Sequence, residues 1–155
     1  MSKTAAPAPI TQTVKLNDLL CFAVYSANNA FNRFYKPIMT ELGLTYPQFL
    51  VMMALWDEDG QSVGTLGARL GLESNTLTPL LKRMAGQGLV ERRRDREDER
   101  QVLIHLTDEG KALETRAGGL PACVLEATGL DAKELAELRA DIDRVRMKLE
   151  SARLR

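Results

Sequence analysis

Glu73-Ser-Asn-Thr-Leu-Thr-Pro-Leu-Leu-Lys-Arg-Met84, followed by Ala85-Gly-Gln-Gly88 and Leu89-Val-Glu-Arg-Arg-Arg-Asp-Arg-Glu-Asp-Glu-Arg-Gln-Val-Leu-Ile-His-Leu106, is the stretch that decides the fold. On a helix, Leu77, Leu80, Leu81 and Met84 recur at i, i+3, i+4 and i+7 and form one buried stripe. The opposite face carries Asn75, Thr76, Thr78, Pro79 and Lys82, short hydrogen-bonding side chains and a cation with no acid. A major groove offers donors, acceptors and thymine methyls, which short polar groups on the N-terminal half of a helix can reach. Pro79 either kinks this helix slightly or presents an apolar ring to a thymine methyl. Downstream, residues 89–93 and 101–106 have strand character, and the charged residues 94–100 between them form a wing. The pattern predicts a mainly α (α+β) winged helix-turn-helix. Its DNA-contacting candidates are Ser74, Asn75, Thr76, Thr78, Pro79, Lys82 and Arg83 on the helix, with Arg92, Arg94 and Arg96 on the wing.

Working outward, 155 residues suit one domain, or one domain with a helical extension. The 21 basic and 21 acidic residues cancel, so the chain is not a basic glove for nucleic acid. Yet seven Lys or Arg face five Asp or Glu between Lys82 and Arg100. Screening limits the reach of distant acids to about 8 Å, so a local basic edge can still bind phosphates. No run reaches the ~20 apolar residues of a membrane span. The first residues lack the apolar core of a secretory signal and read as an arm over 1–14. The two cysteines, Cys21 and Cys123, form no metal-type cluster, so neither metal nor cofactor is expected and a reducing cytoplasm is implied.

A first helix, capped by Asn17 or Asp18, runs through Leu19, Leu20, Ala23, Val24, Ala27, Ala30, Phe31 and Phe34. Pro37 and Gly43 predict a short broken segment over 36–42. Thr45-Tyr-Pro-Gln48 is a capping box for the next helix, which carries Phe49, Met52, Met53, Leu55 and Trp56. Trp56 reads as core, and the acidic run 57–59 as a solvated helix end. A short helix over 63–70 precedes the recognition helix. Thr107 caps a further helix of about 20 residues. His105 has no metal co-ligands and reads as structural.

The last helix opens on a second capping box, Asp131-Ala-Lys-Glu134, and carries Leu135, Leu138, Ile142, Val145 and Leu149. The steps of three and four make the narrow seam of helices packing side by side. Such a seam either lies on the chain's own core or meets another long helix, and a highly charged terminal helix favours the second. The expected organisation is an arm (1–14), dimerising and sensing helices (15–43), a winged helix-turn-helix (44–106) and C-terminal dimerising helices (107–155). A homodimer also presents two recognition helices to a pseudo-palindromic site on double-stranded DNA.

The wing phrase Asp95-Arg-Glu-Asp98-Glu-Arg100, followed after five residues by Leu106-Thr-Asp-Glu-Gly110, resembles the MarR family of bacterial transcriptional regulators. The resemblance covers residues 16–149. Leu19-Leu-Cys-Phe-Ala-Val-Tyr25, Phe34-Tyr35, Leu44-Thr-Tyr-Pro-Gln48 and Thr76-Leu-Thr-Pro-Leu-Leu-Lys-Arg83 are most similar to the organic hydroperoxide resistance (OhrR) type, and Cys123 to its two-cysteine subgroup. The resemblance implies that Cys21 is the peroxide-sensing thiol. It further implies that Tyr35 and Tyr46 of the partner subunit hydrogen-bond it, with Tyr25 nearby. Cys123 would then resolve the oxidised Cys21 as an intersubunit disulfide. In the wing, Asp98 would brace the loop and Arg100 would enter the minor groove.

The residue chemistry is compatible with that role. Cys21 falls in a first helical turn, where unpaired N–H groups favour a thiolate, the peroxide nucleophile. Phe22, Leu20, Phe49 and Met52 would favour an organic hydroperoxide as the inducer. A lone helical cysteine without such company is inert core about 70–80% of the time. An external thiol capping Cys21 is the alternative to Cys123. Alternatives of function are a repressor released by a phenolic ligand, or by another thiol oxidant such as hypochlorite or quinones. A two-cysteine peroxidase, an enzyme, lacks a CxxC or a basic neighbour beside Cys21, and an architectural DNA protein would ignore oxidants.

Overall fold

The computed structural model describes residues 14–152. The expected arm over 1–14 lies outside them except for Val14. Contacts divide the chain into two compact units that part between Phe49 and Leu50.

In the first unit, Leu16–Asp18 is a 3-10 turn and α1 runs from Leu20 to Leu42. The cap is Leu19, not Asn17 or Asp18. The preceding turn consumes those residues, with the Asp18 and Leu19 amides donating to Lys15 and Leu16 at 3.0 and 3.2 Å. The expected break over 36–42 is absent, since α1 passes through Pro37. The proline deletes one N–H, and the Thr40 hydroxyl donates to the Lys36 carbonyl at 2.9 Å beside it. Gly43, at φ 70°, is what ends the helix. Its amide donates to Thr40 O and that of Leu44 to Met39 O, a Schellman closure. Helix α2 (Tyr46–Asp57) starts on the expected capping box: Thr45 N–H donates to Gln48 Oε1 at 2.9 Å and Gln48 N–H to Thr45 Oγ1 at 3.4 Å.

The second unit holds the rest: β1 (Gln61–Ser62), α3 (Val63–Leu70), α4 (Ser74–Gly86), β2 (Val90–Arg94), β3 (Val102–Leu106), α5 (Asp108–Ala117), α6 (Leu120–Thr128) and α7 (Ala132–Ser151). Leu77, Leu80, Leu81 and Met84 are all buried, as their spacing predicts, and α4 packs on α3 and β2. Val51, Met52, Leu55, Leu66 and Ile104 complete a core with no solvent exposure. Each such side chain stabilises the fold by about 1.5–3 kcal/mol. The sheet order is β1-β3-β2, all antiparallel, with Val90 opposite Leu106 and Arg94 opposite Val102. Strand β1 is too short for periodicity to reveal.

A latch joins wing to helix. Thr107 caps α5, accepting from the Gly110 amide at 3.0 Å, while its hydroxyl donates to Gly88 O at 2.6 Å. Its amide reaches Leu89 O at 3.1 Å. The Trp56 indole donates to Gly110 O at 2.9 Å. Asp59 is exposed, as its place in the acidic helix end predicts, and its carboxylate also accepts from the Leu106 amide at 2.8 Å. Gly110 itself is buried, and a Cβ there would stand 2.2 Å from Leu89 O.

The single helix of about 20 residues after Thr107 is two helices, α5 and α6, parted at Gly118-Gly119. Pro121 has no N–H for the carbonyl four residues back, and two glycines before it add no helical preference. The capping box of α7 is present in both directions, with bonds of 2.8 and 2.9 Å between Asp131 and Glu134. Its seam is not covered by this chain: Leu138 and Ile142 are each 49% exposed and Leu149 69%.

Gly110→Ala should lower stability by about 2–3 kcal/mol, because the opposing atom is backbone and cannot rotate away. A thermal melt within about a degree of wild type would show that α5 shifts freely.

Candidate DNA interface and thiol site

Ser74, Asn75, Thr76, Pro79, Lys82 and Arg83 are exposed on α4, and Thr78 is half-buried. No acid lies in the first turn, so the polar face keeps its donors and its positive end. Pro79 interrupts one hydrogen bond but the helix continues to Gly86.

On β2 the two-residue period places Arg92 and Arg94 on one face with Val90, and Arg93 with Glu91 on the other. Arg93 is tied to Glu91. Among the described residues Arg92, Arg94, Arg96 and Arg100 have no ion-pair partner, and all four are exposed. The wing loop is held by its own acids. Asp98 accepts from the Arg100 amide at 3.1 Å and from the Gln101 side chain at 3.2 Å, while Asp95 accepts from the Glu97 amide at 3.0 Å. Both bonds to Asp98 lie within the loop, one of them to the backbone of Arg100. Thr78, Arg92 and Arg100 share one cleft with Ser62, Val63 and Gly64. The last three were not foreseen, since no motif marks the start of α3.

Cys21 is the second residue of α1, exposed, in a first turn without acids. Cys123 is exposed on α6. Neither is the small buried hydrophobe that helical cysteines usually are. Tyr25 lies one turn from Cys21, its ring 6.4 Å from Phe22. Tyr35 and Tyr46 are stacked at 5.5 Å and 11°, flanked by Phe31, Phe34 and Phe49. Burial pushes the Tyr46 phenol above its ordinary value, so it stays a neutral donor through the physiological range. Tyr35 stands 14 residues beyond Cys21 on the same helix, about 21 Å along its axis. The tyrosine pair and Cys21 of one chain are thus not together.

Apolar residues Leu20, Val24, Phe31 and Phe34 are exposed along one face of α1. Among the described residues, no single helix is long and apolar enough to cross a membrane, and no group of residues suited to a metal occurs.

Comparison with known proteins agrees with this architecture. Residues 33–116 match the family model for the transcriptional regulator SarA/Rot. The chain is 48% identical over 143 residues to the HTH-type transcriptional regulator TtmR of Methylorubrum extorquens, covering 92% of this chain and 70% of that one. It is 40% identical over 127 residues to the organic hydroperoxide resistance transcriptional regulator of Bacillus subtilis, covering 82% and 86%. Among solved structures, AbfR of Staphylococcus epidermidis is similar in its reduced, DNA-bound form, with a TM-score of 0.72, 33% identity and coverage of 88% and 96%. The disulfide form of AbfR gives 0.63 at 35% identity, covering 84% and 91%.

In a spectrophotometric titration of tyrosinate, Tyr46→Phe should remove a phase that ionises above pH 10.0. An unchanged high-pH phase would show that Tyr46 is solvated.

Proposed function

Because the chain belongs to the SarA/Rot group of MarR-like winged-helix transcriptional regulators, we propose that it is a repressor released from operator DNA when an organic hydroperoxide oxidises Cys21. The observation that carries this reading is the separation of about 21 Å between Cys21 and the stacked Tyr35–Tyr46 pair on one chain. Two phenols so placed cannot serve their own thiol. They serve a partner's thiol if two α1 helices cross antiparallel near Asn28, midway between residues 21 and 35. The exposed stripe of Leu20, Val24, Phe31 and Phe34 gives that crossing its apolar surface, and the seam of α7 gives a second. Residues 15–43 and 107–155 are accordingly assigned to dimerisation, and 44–106 to DNA.

In this reading the Cys21 thiolate attacks the peroxide's terminal oxygen, the O–O bond breaks, the leaving alkoxide takes a proton from solvent to become the alcohol, and sulfenic acid remains on Cys21. Tyr35 and Tyr46 of the partner donate to the thiolate without a fixed cation. The Cys123 thiolate of the other subunit then attacks the Cys21 sulfur, the S–O bond breaks, and the leaving hydroxide takes a proton from solvent to become water, with the disulfide formed. Joining the sulfurs needs Cα atoms within about 6 Å. That constraint moves the helices carrying the two wings, and a few kcal/mol of bias lowers DNA affinity by orders of magnitude. Arg92, Arg94, Arg96 and Arg100 grip the backbone and minor groove in the reduced state, while Asn75, Thr76 and Thr78 face base edges.

Cys21→Ser should remain bound to its operator when cumene hydroperoxide is added, while wild type releases. Release by the mutant as readily as by wild type would overturn the mechanism. Cys123→Ser should abolish the oxidant-induced crosslink on a non-reducing gel with DNA affinity intact, and a persisting crosslink would exclude Cys123 as the resolving thiol.

A further inference from the structure

Helix α1 carries a second stripe beside the apolar one. Cys21, Tyr25, Asn28, Asn32, Tyr35 and Met39 recur at steps of four and three, so they lie in one line down a single face of the helix. Asn28 stands at the midpoint between the thiol and the phenol, seven residues from Cys21 and seven from Tyr35. It is exposed, and among the described residues its side chain has no hydrogen-bond partner. Asparagine is a weaker helix former than alanine or leucine, because its amide competes with the backbone. Nothing in the described part of this chain accounts for that amide in the middle of a helix of 23 residues.

Symmetry gives the midpoint a special place. If Cys21 faces the partner's Tyr35, a twofold axis requires Tyr35 to face the partner's Cys21, and Asn28 then meets its own copy. A side chain on such an axis has to be complementary to itself. A carboxylate or an ammonium group would face like charge, and a leucine would pack without fixing the register. A carboxamide both donates and accepts, so two copies can exchange N–H···O=C bonds in both directions. With Val24 and Phe31 beside it, the pair would be drawn out of water, and a slide that parts the amides strands donors and acceptors in an apolar seam. A single buried asparagine fixes the register of paired helices by this means.

We propose that Asn28 is a positioning residue whose amide pairs with the partner's Asn28 on the dimer axis and so holds Cys21 opposite the partner's Tyr35. The proposal rests on the intersubunit thiol reading and deepens it by naming what sets the crossing. A slide of one turn that paired Asn28 with the partner's Asn32 would set Cys21 against the partner's Met39, and residue 28 could no longer bond to its own copy.

The first test places a thiol on the axis, in the full-length protein carrying Cys21→Ser and Cys123→Ser. Under diamide, Asn28→Cys should form an intersubunit disulfide at least about tenfold faster than Ala30→Cys, which is exposed on the opposite face. Equal rates, in protein that sediments as a dimer, would overturn the proposal and leave the intersubunit thiol site standing. Sedimentation of the wild type as a monomer would remove both. The second test reads the thiol itself. Asn28→Asp and Asn28→Lys each set like charges on the axis, and each alone should slow oxidation of Cys21 by cumene hydroperoxide at least about tenfold. Mixing the two variants pairs acid with base and should bring the rate back toward wild type. Two chains damaged only in their own folding would not rescue each other. Absence of rescue, with both variants folded by circular dichroism, would overturn the positioning role. If either charged variant unfolds, the crosslink at residue 28 decides.

Discussion

The close approach of the Leu89 carbonyl to Gly110 is the constraint from which the DNA-binding unit is built. A single methyl at residue 110 would stand 2.2 Å from that oxygen, so the chain can place α5 against the base of β2 only with glycine there. The approach brings Thr107 within reach of Gly88 and Leu89, and puts the Gly110 carbonyl where the Trp56 indole can donate. Asp59 anchors the same corner through the Leu106 amide. The end of α2, the last residues of β3 and the start of α5 are thereby pinned at one place. The wing hairpin springs from a rigid base, and its loop is held by Asp95 and Asp98 rather than by contacts elsewhere.

That rigidity explains how a chain of zero net charge can hold DNA. Three of the five acids between Lys82 and Arg100 accept hydrogen bonds within the described residues. Glu91 takes Arg93, Asp57 takes Arg69 at 2.6 Å, and Asp95 and Asp98 face backbone amides. Exposed pairs of this kind add little stability, about 0–1 kcal/mol each. Their larger effect is on where unpaired basic charge remains, which is the Arg92 and Arg94 face of β2 and the wing. Charge bookkeeping over the whole sequence hides this, because it counts committed acids against free arginines.

The sequence was most legible where one local pattern dominates. The stripe of α4, both capping boxes and the hairpin follow from spacing and side-chain chemistry alone, and the structure places them where expected. Misreadings arose where a local breaker met a stronger context. Pro37 stops nothing, because Gly43 with its left-handed backbone supplies the real end of α1. The glycines at 118 and 119, with Pro121, do break a helix that periodicity alone had joined. Strand β1 is invisible because two residues have no period, and the bond from Leu106 to the exposed Asp59 is hidden because the two lie 47 residues apart in sequence. Helix α3 lies where its pattern predicts, but the place of Ser62, Val63 and Gly64 beside Arg92 and Arg100 is legible only in the fold.

The thiol site obeys a different limit. Residue types could nominate Cys21, Tyr35 and Tyr46, but helical rise keeps the first about 21 Å from the second, and the stack with Tyr46 extends that separation to the pair. A sensor made of these groups is therefore incomplete in one chain. In the proposed dimer its assembly would depend on the exposed apolar stripe of α1, so that chemistry at the sulfur and the relative placement of the subunits would share one set of contacts. In the proposed dimer, whose two wings would span a fixed helical repeat, that sharing would connect oxidation to release. A thiol served by tyrosines of its own chain would titrate and oxidise without any reason for the spacing between subunits to change.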